Sequence, residues 1–198
     1  MSDVILASGS AIRRTLLTNA GLPITVDPAD IDEGQIKTRM KVQNAPALRA
    51  AAELAVAKAQ AVSPRHPGKL VIGADQILAF GEHWFDKPKD HQAAMRQLER
   101  LAGRAHQLVS AVAVVRNSEE VWRTAQAVTL HMRPLSQGFI ETYLDQAGDA
   151  VLSSVGAYQL EGLGAQLFTA IEGDYFTVLG LPLLPLLAFL RQQGIMPA

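Results

Sequence analysis

Val4–Pro23 reads VILASGSAIRRTLLTNAGLP. An apolar run gives way to the small residues Ala7–Ser10, and a segment with helically spaced leucines follows and stops at Gly21. The order predicts a buried strand, a tight loop and a helix from Ala11 to Ala20, with Ser10 as its cap and Gly21 just past its end. A strand feeding a helix through such a loop is the unit from which α/β sheets are built. It also gathers unpaired backbone N–H groups at one spot. Arg13 and Arg14 fall in the first helical turn, where a cation opposes the helix dipole. An anion would reconcile them. Ser8 and Ser10 add hydroxyls, the guanidiniums add charged donors, and phosphate fits that set. The Walker A spacing is absent. A solvated pair of surface arginines is the competing reading. On the anion reading, removing Arg13 relieves repulsion and slightly stabilises the ligand-free protein.

Working outward, LPITVDPADIDEG reads as a short strand and an acidic loop, and ALRAAAELAVAKAQAVS as an alanine-rich helix. GKLVIGADQILAF is a buried strand turned by GEH into WFDK. HQAAMRQLERLAG is an amphipathic helix ended by Gly103, and two β-rich stretches either side of SEE form an antiparallel pair. SQGFIETYLDQAG is a helix capped by Ser136, the stretch from Ala157 to Gly180 is a glycine-punctuated strand and loop region, and LPLLPLLAFLRQQG closes the fold as a buried helix. Early alternation with a hairpin pair in the middle predicts an α/β fold with a mixed, twisted sheet and flanking helices.

Composition bounds the chemistry. The 198 residues, 48% hydrophobic and 19% charged, suit one domain, either single or two-lobed. A net charge of −1 gives no global field for a nucleic acid polymer, so an anion site must be local. The absence of cysteine excludes disulfides, thiolate metal sites and a thiol nucleophile, and suits a reducing cytoplasm. MSDVILASGS lacks the basic and long apolar regions of a secretory signal, and prolines interrupt the apolar tail, so neither secretion nor membrane insertion is expected.

Asp75 stands out, because LVIGADQILAF is apolar except for Asp75 and Gln76. A carboxylate in such a strand needs a partner or a cleft. A structural pairing with arginine competes with a catalytic or metal-binding role, which Gly73 favours by letting a ligand approach the backbone. Asp30, Asp32 and Glu33 offer oxygens of the kind hard divalent cations take. The five histidines show no metal-ligand spacing.

LASGSAIRR, GADQILAFGEHWFDKP, VGAYQLEGLGA and VLGLP, in that order and spacing, resemble the Maf family, the septum-formation-inhibitor-related nucleotide pyrophosphatases. The resemblance covers nearly the whole chain, read as a single Maf-like domain over 1–198. Ala11 departs from it, standing where the family usually has proline. It implies two lobes around a central cleft, a divalent cation (Mg or Mn), a homodimer, and cleavage of a nucleoside triphosphate to monophosphate and diphosphate. It makes Asp75 the catalytic residue and places Ser8, Ser10, Arg13, Lys58 and Lys87 at the phosphates, with Glu33 and Asp75 at the metal. Ile12, Gln76 and Glu161 fall on positions that separate its branches. Gln76 and Glu161 are similar to the 7-methyl-GTP pyrophosphatase branch, whereas Ile12 lacks the aromatic ring that branch tends to carry. A carboxylate at 161 suits the two adjacent donors of a guanine edge. The alternatives are a pyrophosphatase for ordinary pyrimidine nucleotides and a non-catalytic nucleotide-binding regulator of cell division.

Overall fold

The computed structural model describes residues 3–197. In chain order the elements are β1 (Val4–Leu6), α1 (Ala11–Asn19), β2 (Thr25–Val26), α2 (Glu33–Val42), α3 (Ala47–Val62), β3 (Leu70–Phe80), β4 (His83–Phe85), α4 (His91–Leu101), β5 (Ala105–Arg116), β6 (Glu119–Met132), α5 (Gln137–Ala147), β7 (Phe168–Glu172), α6 (Tyr175–Val178) and α7 (Leu183–Gln192). The strands form one mixed sheet in the order β2-β1-β3-β5-β6-β7, with β4 paired to β3. β1 runs parallel to both β2 and β3, whereas β3–β4 and β6–β7 are antiparallel. The predicted mixed α/β architecture is therefore the one observed.

The two residues between β5 and β6, Asn117 and Ser118, have φ of 51° and 67°. Two consecutive left-handed residues make the primed turn whose twist matches a hairpin. Asn117 also accepts the Gly68 N–H at 2.7 Å, and Ser118 donates its N–H to Ser63 Oγ at 2.9 Å.

Two compact units emerge. The first holds the chain up to Gln76, Val109–Gln126 and the segment from Tyr175 onward; the second holds Ile77–Leu108 and Ala127–Asp174. In the first unit strand alternation sorts the core into two faces. Val4 and Leu6 of β1 and Ile72 and Ala74 of β3 pack with Leu17 of α1 and Leu186 and Leu190 of α7. Ile5 of β1, Ala7 just after it and Val71 of β3 pack with Ala59 and Val62 of α3. The apolar tail is thus a buried core helix, and among the described residues no helix is long and apolar enough to cross a membrane.

The close seat of α3 on β3 explains Gly73. A Cβ there would lie 2.0 Å from the Ala55 carbonyl oxygen and 2.8 Å from the Ala59 nitrogen. The glycine admits the backbone of a helix rather than that of a ligand, which corrects the expectation drawn from sequence. The acidic loop is shorter than expected as well, because Glu33 opens α2 and Asp32 caps it by accepting the Gln35 N–H at 2.9 Å.

In the second unit Asp90 caps α4 and Ser136 caps α5. Tyr158, His106 and Phe168 cluster, with His106 Nε2 2.7 Å from Tyr158 Oη and the Tyr143 hydroxyl donating to the Ala157 carbonyl at 3.1 Å. Burial pulls His106 down to about 4, with His131 adding to the effect, and pushes the Tyr143 hydroxyl up to about 12.

Candidate active site

Asp75 follows Gly73 on the β3 face that meets α3, so the seat made by Gly73 brings Lys58 to it. Lys58 lies one turn beyond Ala55 on α3, and its ammonium donates to Asp75 Oδ1 at 2.6 Å. The same nitrogen lies 2.7 Å from Glu33 Oε1 at the start of α2. One cation thus joins two carboxylates from three elements. Asp75 is 5% exposed, and its second oxygen, Oδ2, is buried without a hydrogen-bond partner among the described residues. An acceptor held dry and unpaired costs the fold on the order of 1–3 kcal/mol. It is a group with spare capacity for a proton or a cation.

The residues of the opening motif lie in the same unit. The Ser10 side chain accepts the Arg13 N–H at 3.5 Å and caps α1 as expected. Ser8 is buried, and its Oγ accepts from Arg13 Nη1 at 3.1 Å. Arg13 itself is buried: Nη1 also donates to the Ala74 carbonyl at 2.9 Å and Nε to the Gly180 carbonyl at 2.8 Å. Burial lowers its pKa from the ordinary arginine value, and the charges of Asp75 and Glu33 oppose that shift. For Arg13 this removes the competing reading of a solvated surface arginine. Two of its nitrogens tie α1 to β3 and to the turn before α7. The expectation that its removal stabilises the ligand-free protein fails for that reason: removal would strand buried carbonyls. Arg14, its neighbour, is exposed.

Gln76, next along β3, points to the opposite face from Asp75. Its amide donates to Ser110 Oγ at 3.0 Å and to the carbonyls of Thr177 and Val178 at 3.3 and 2.9 Å. Ile12 is half-buried against the α1–α7 core. Lys87, after β4, and Glu161, three residues past Tyr158, both belong to the second unit and are exposed. Asp32 is spent as a helix cap, and Asp30 is exposed.

Sequence reasoning missed the ion cluster at Asp27. Its carboxylate accepts from Arg65 Nε and Nη2, both at 2.9 Å, and lies 2.8 Å from His66 Nε2. Hydrogen bonds from Arg65 and then His66 hold it down to about 2. Only the fold brings Asp27 to the adjacent Arg65 and His66.

The donor set suits a hard divalent cation of the magnesium kind, which takes one or two carboxylates and fills the remaining positions with water and phosphate oxygens. Glu33 and Asp75 supply the carboxylates, and the unpaired Oδ2 is the atom that would gain most. Among the described residues no group of three or more His, Cys, Asp or Glu could hold a metal by itself. Substrate oxygens would have to complete the shell.

The sequence profile described as Maf-like protein matches residues 3–193. A nucleoside triphosphate pyrophosphatase of Paramagnetospirillum magneticum is 53% identical over 190 residues, covering 96% of this chain and 98% of its own. A 7-methyl-GTP pyrophosphatase of Brucella abortus is 48% identical over 190 residues, covering 96% of each. The crystal structure of a nucleoside-triphosphatase / dITP/XTP pyrophosphatase from Mycobacterium abscessus aligns with 96% of this chain and 97% of its own, at TM-score 0.46 and 18% identity. The profile spans residues of both units, the two relatives match almost end to end at about half identity, and the chain belongs to the Maf-like protein family.

Proposed function

We propose that the chain is a nucleoside triphosphate pyrophosphatase, a nucleotide-pool housekeeping hydrolase in which residues 1–198 act as one domain. The observation that carries this reading is Asp75: a buried carboxylate with one oxygen clamped by Lys58 and the other unpaired. The activities named for the two relatives support it.

In this reading water attacks the α-phosphorus, the bond to the bridging oxygen of the β-phosphate breaks, and diphosphate leaves with the electron pair. Asp75 accepts the proton of the attacking water. Lys58 fixes the carboxylate and sets a positive charge beside the phosphates. Ser10, the N-terminus of α1 and Ser8 offer donors to phosphate oxygens, while Arg13 lends charge from a fixed, buried position. Lys87 is assigned to the leaving diphosphate. Glu33 with Asp75 would hold a divalent cation, which supplies charge neutralisation and orientation of phosphate oxygens.

Glu161 is assigned to the base. Its carboxylate accepts from N1–H and the exocyclic amine of guanine, and a cationic, N7-methylated guanine strengthens both bonds. Ile12 offers only apolar contact and no stacking ring. The preferred substrate is therefore guanine-like, with 7-methyl-GTP first. The test is diphosphate release from 7-methyl-GTP, GTP, UTP, dTTP and CTP with Mg or Mn, on the wild type and on Glu161→Gln. Release from none of them, with nucleotide binding intact, refutes the hydrolase. A preference for UTP or dTTP that Glu161→Gln leaves unchanged refutes the assignment of Glu161.

A further inference from the structure

We propose that His106 and Tyr158 are a positioning pair for Glu161: their buried hydrogen bond fixes the turn that presents the Glu161 carboxylate, and so sets how well a guanine edge is told from a uracil edge. The inference rests on the pyrophosphatase reading and its assignment of Glu161 for its functional half, and on geometry for the rest.

Glu161 is exposed at the third place of a tight turn, in which the Gly162 N–H donates to the Gln159 carbonyl at 3.2 Å. The turn is narrow as well as short. A Cβ on Gly164 would lie 2.4 Å from the Gln159 carbonyl oxygen and 2.8 Å from the Gln159 nitrogen, so the chain leaving the turn is laid against the chain entering it. The entering chain is held at three consecutive residues. The Ala157 carbonyl accepts from Tyr143 Oη at 3.1 Å, and Tyr158 Oη lies 2.7 Å from His106 Nε2. The Gln159 amide donates to the Ala150 carbonyl at 3.3 Å and to Ser153 Oγ at 3.1 Å.

The middle hold joins two side chains inside the core. Tyr158 is 4% exposed and His106 is 3% exposed. The Phe168 ring meets the Tyr158 ring edge-on, with centroids 4.9 Å apart. Among the described residues His106 Nδ1 has no partner, so the hydrogen bonding of the imidazole rests on Tyr158. Burial holds Tyr158 well above the ordinary tyrosine value, with Tyr143 adding to the effect, and the phenol keeps its proton. Contacts between rings tolerate sliding, whereas a short hydrogen bond to a residue of β5 fixes the depth and angle of the phenol. All of these residues belong to the second unit. Glu161 follows Tyr158 by three residues, and a carboxylate that must meet two adjacent donors tolerates little displacement of its backbone. Because the pair is buried, it acts on a bound base through the turn and not by contact.

The test uses Tyr158→Phe, His106→Phe and the two together. Removing one partner strands the other in the core, whereas the double variant leaves two apolar rings and still lacks the bond. The first readout needs no ligand: exchange of the Gly162 N–H by NMR, expected to accelerate about fivefold in all three variants. The second is the kcat/KM ratio of 7-methyl-GTP to UTP, expected to fall about fivefold through KM while kcat holds within about twofold. The third is affinity for inorganic diphosphate with Mg, which has no base to recognise and is expected to hold within about twofold. In a Glu161→Gln background, Tyr158→Phe is expected to change the ratio by less than about twofold, because both substitutions act through one carboxylate. Unchanged Gly162 exchange overturns the proposal. So does an unchanged ratio in a variant whose exchange has risen, or an undiminished effect of Tyr158→Phe in the Glu161→Gln background. An equal loss of diphosphate affinity marks a merely structural pair and overturns it too. If the wild type hydrolyses nothing, the pyrophosphatase reading falls; if Glu161→Gln alone leaves the ratio unchanged, the assignment of Glu161 falls. In both cases the Gly162 exchange still decides whether the pair holds the turn. Should a single variant fail to fold, the double variant carries the same readouts.

Discussion

Gly73→Ala adds one methyl group where α3 leaves no room for it. The new Cβ would begin 2.0 Å from the Ala55 carbonyl oxygen, 2.8 Å from the Ala59 nitrogen and 3.0 Å from the Ala59 Cβ. The first two neighbours are backbone, so no rotamer change relieves them. The α3–β3 gap must open by about 1 Å before the closest contact becomes merely tight. Overpacking a well-filled core costs about 1–3 kcal/mol, and a backbone clash belongs at the upper end, near 3 kcal/mol. For a chain of this size that is a fall in Tm of roughly 6–12 °C. Lys58 rides on α3, so its 2.6 Å bond to Asp75 lengthens with the gap. Misplacing a catalytic group by about 1 Å can cost on the order of 10²-fold in rate. Thermal and denaturant unfolding measure the first effect, and diphosphate release the second. A Gly73→Ala protein within about 0.5 kcal/mol of the wild type and fully active would refute both the close seat and its role in placing Lys58.

Three further outcomes are expected. Asp75→Asn keeps the shape and removes the base; turnover falls by about 10²–10⁴ while nucleotide affinity holds within a few-fold, as rapid-quench and equilibrium binding will show. Arg13→Ala strands the carbonyls of Ala74 and Gly180 and is expected to lower ligand-free stability by about 3 kcal/mol in urea unfolding, where a surface arginine would change it by well under 1. His106 is held at about 4 in the fold, below its ordinary 6.5, so the unfolded chain binds the extra proton between those values. Stability is complete above about pH 6.5 and falls as pH drops towards 4, by about 3 kcal/mol in all, and His106→Gln is expected to flatten that limb of the unfolding profile.

What the sequence made legible were features with local signatures. The strand and loop before α1, the Ser10 cap, the β5–β6 hairpin and the mixed sheet all follow from patterns a few residues long. Asp75 was legible because a carboxylate in an apolar strand is costly. α2 was not, since of its residues only Met40 is buried and no apolar stripe marks it. Gly73 was singled out for the right property and the wrong neighbour: sequence shows that a backbone may come close there but not whose. The burial of Arg13 was not legible because its partners include main-chain carbonyls, Gly180 among them far along the chain, and a carbonyl has no letter in the sequence. Lys58 was given its role by resemblance, and Glu33 stood out only as one of three carboxylates in an acidic stretch; nothing local tells a lysine that clamps a buried carboxylate from one on a surface.

The segment from Tyr175 onward has a consequence for how the protein is made. β1 is synthesised long before α7, yet its Val4 and Leu6 are covered by Leu186 and Leu190, and Arg13 is tied to Gly180. On the ribosome the first unit therefore waits, with apolar strand surface bare, until nearly the last residues described have been added. Such long-range closure folds slowly and leaves the nascent chain open to aggregation. Sharp sensitivity to truncation into α7 is the expected penalty of sealing an early strand with a helix made so much later.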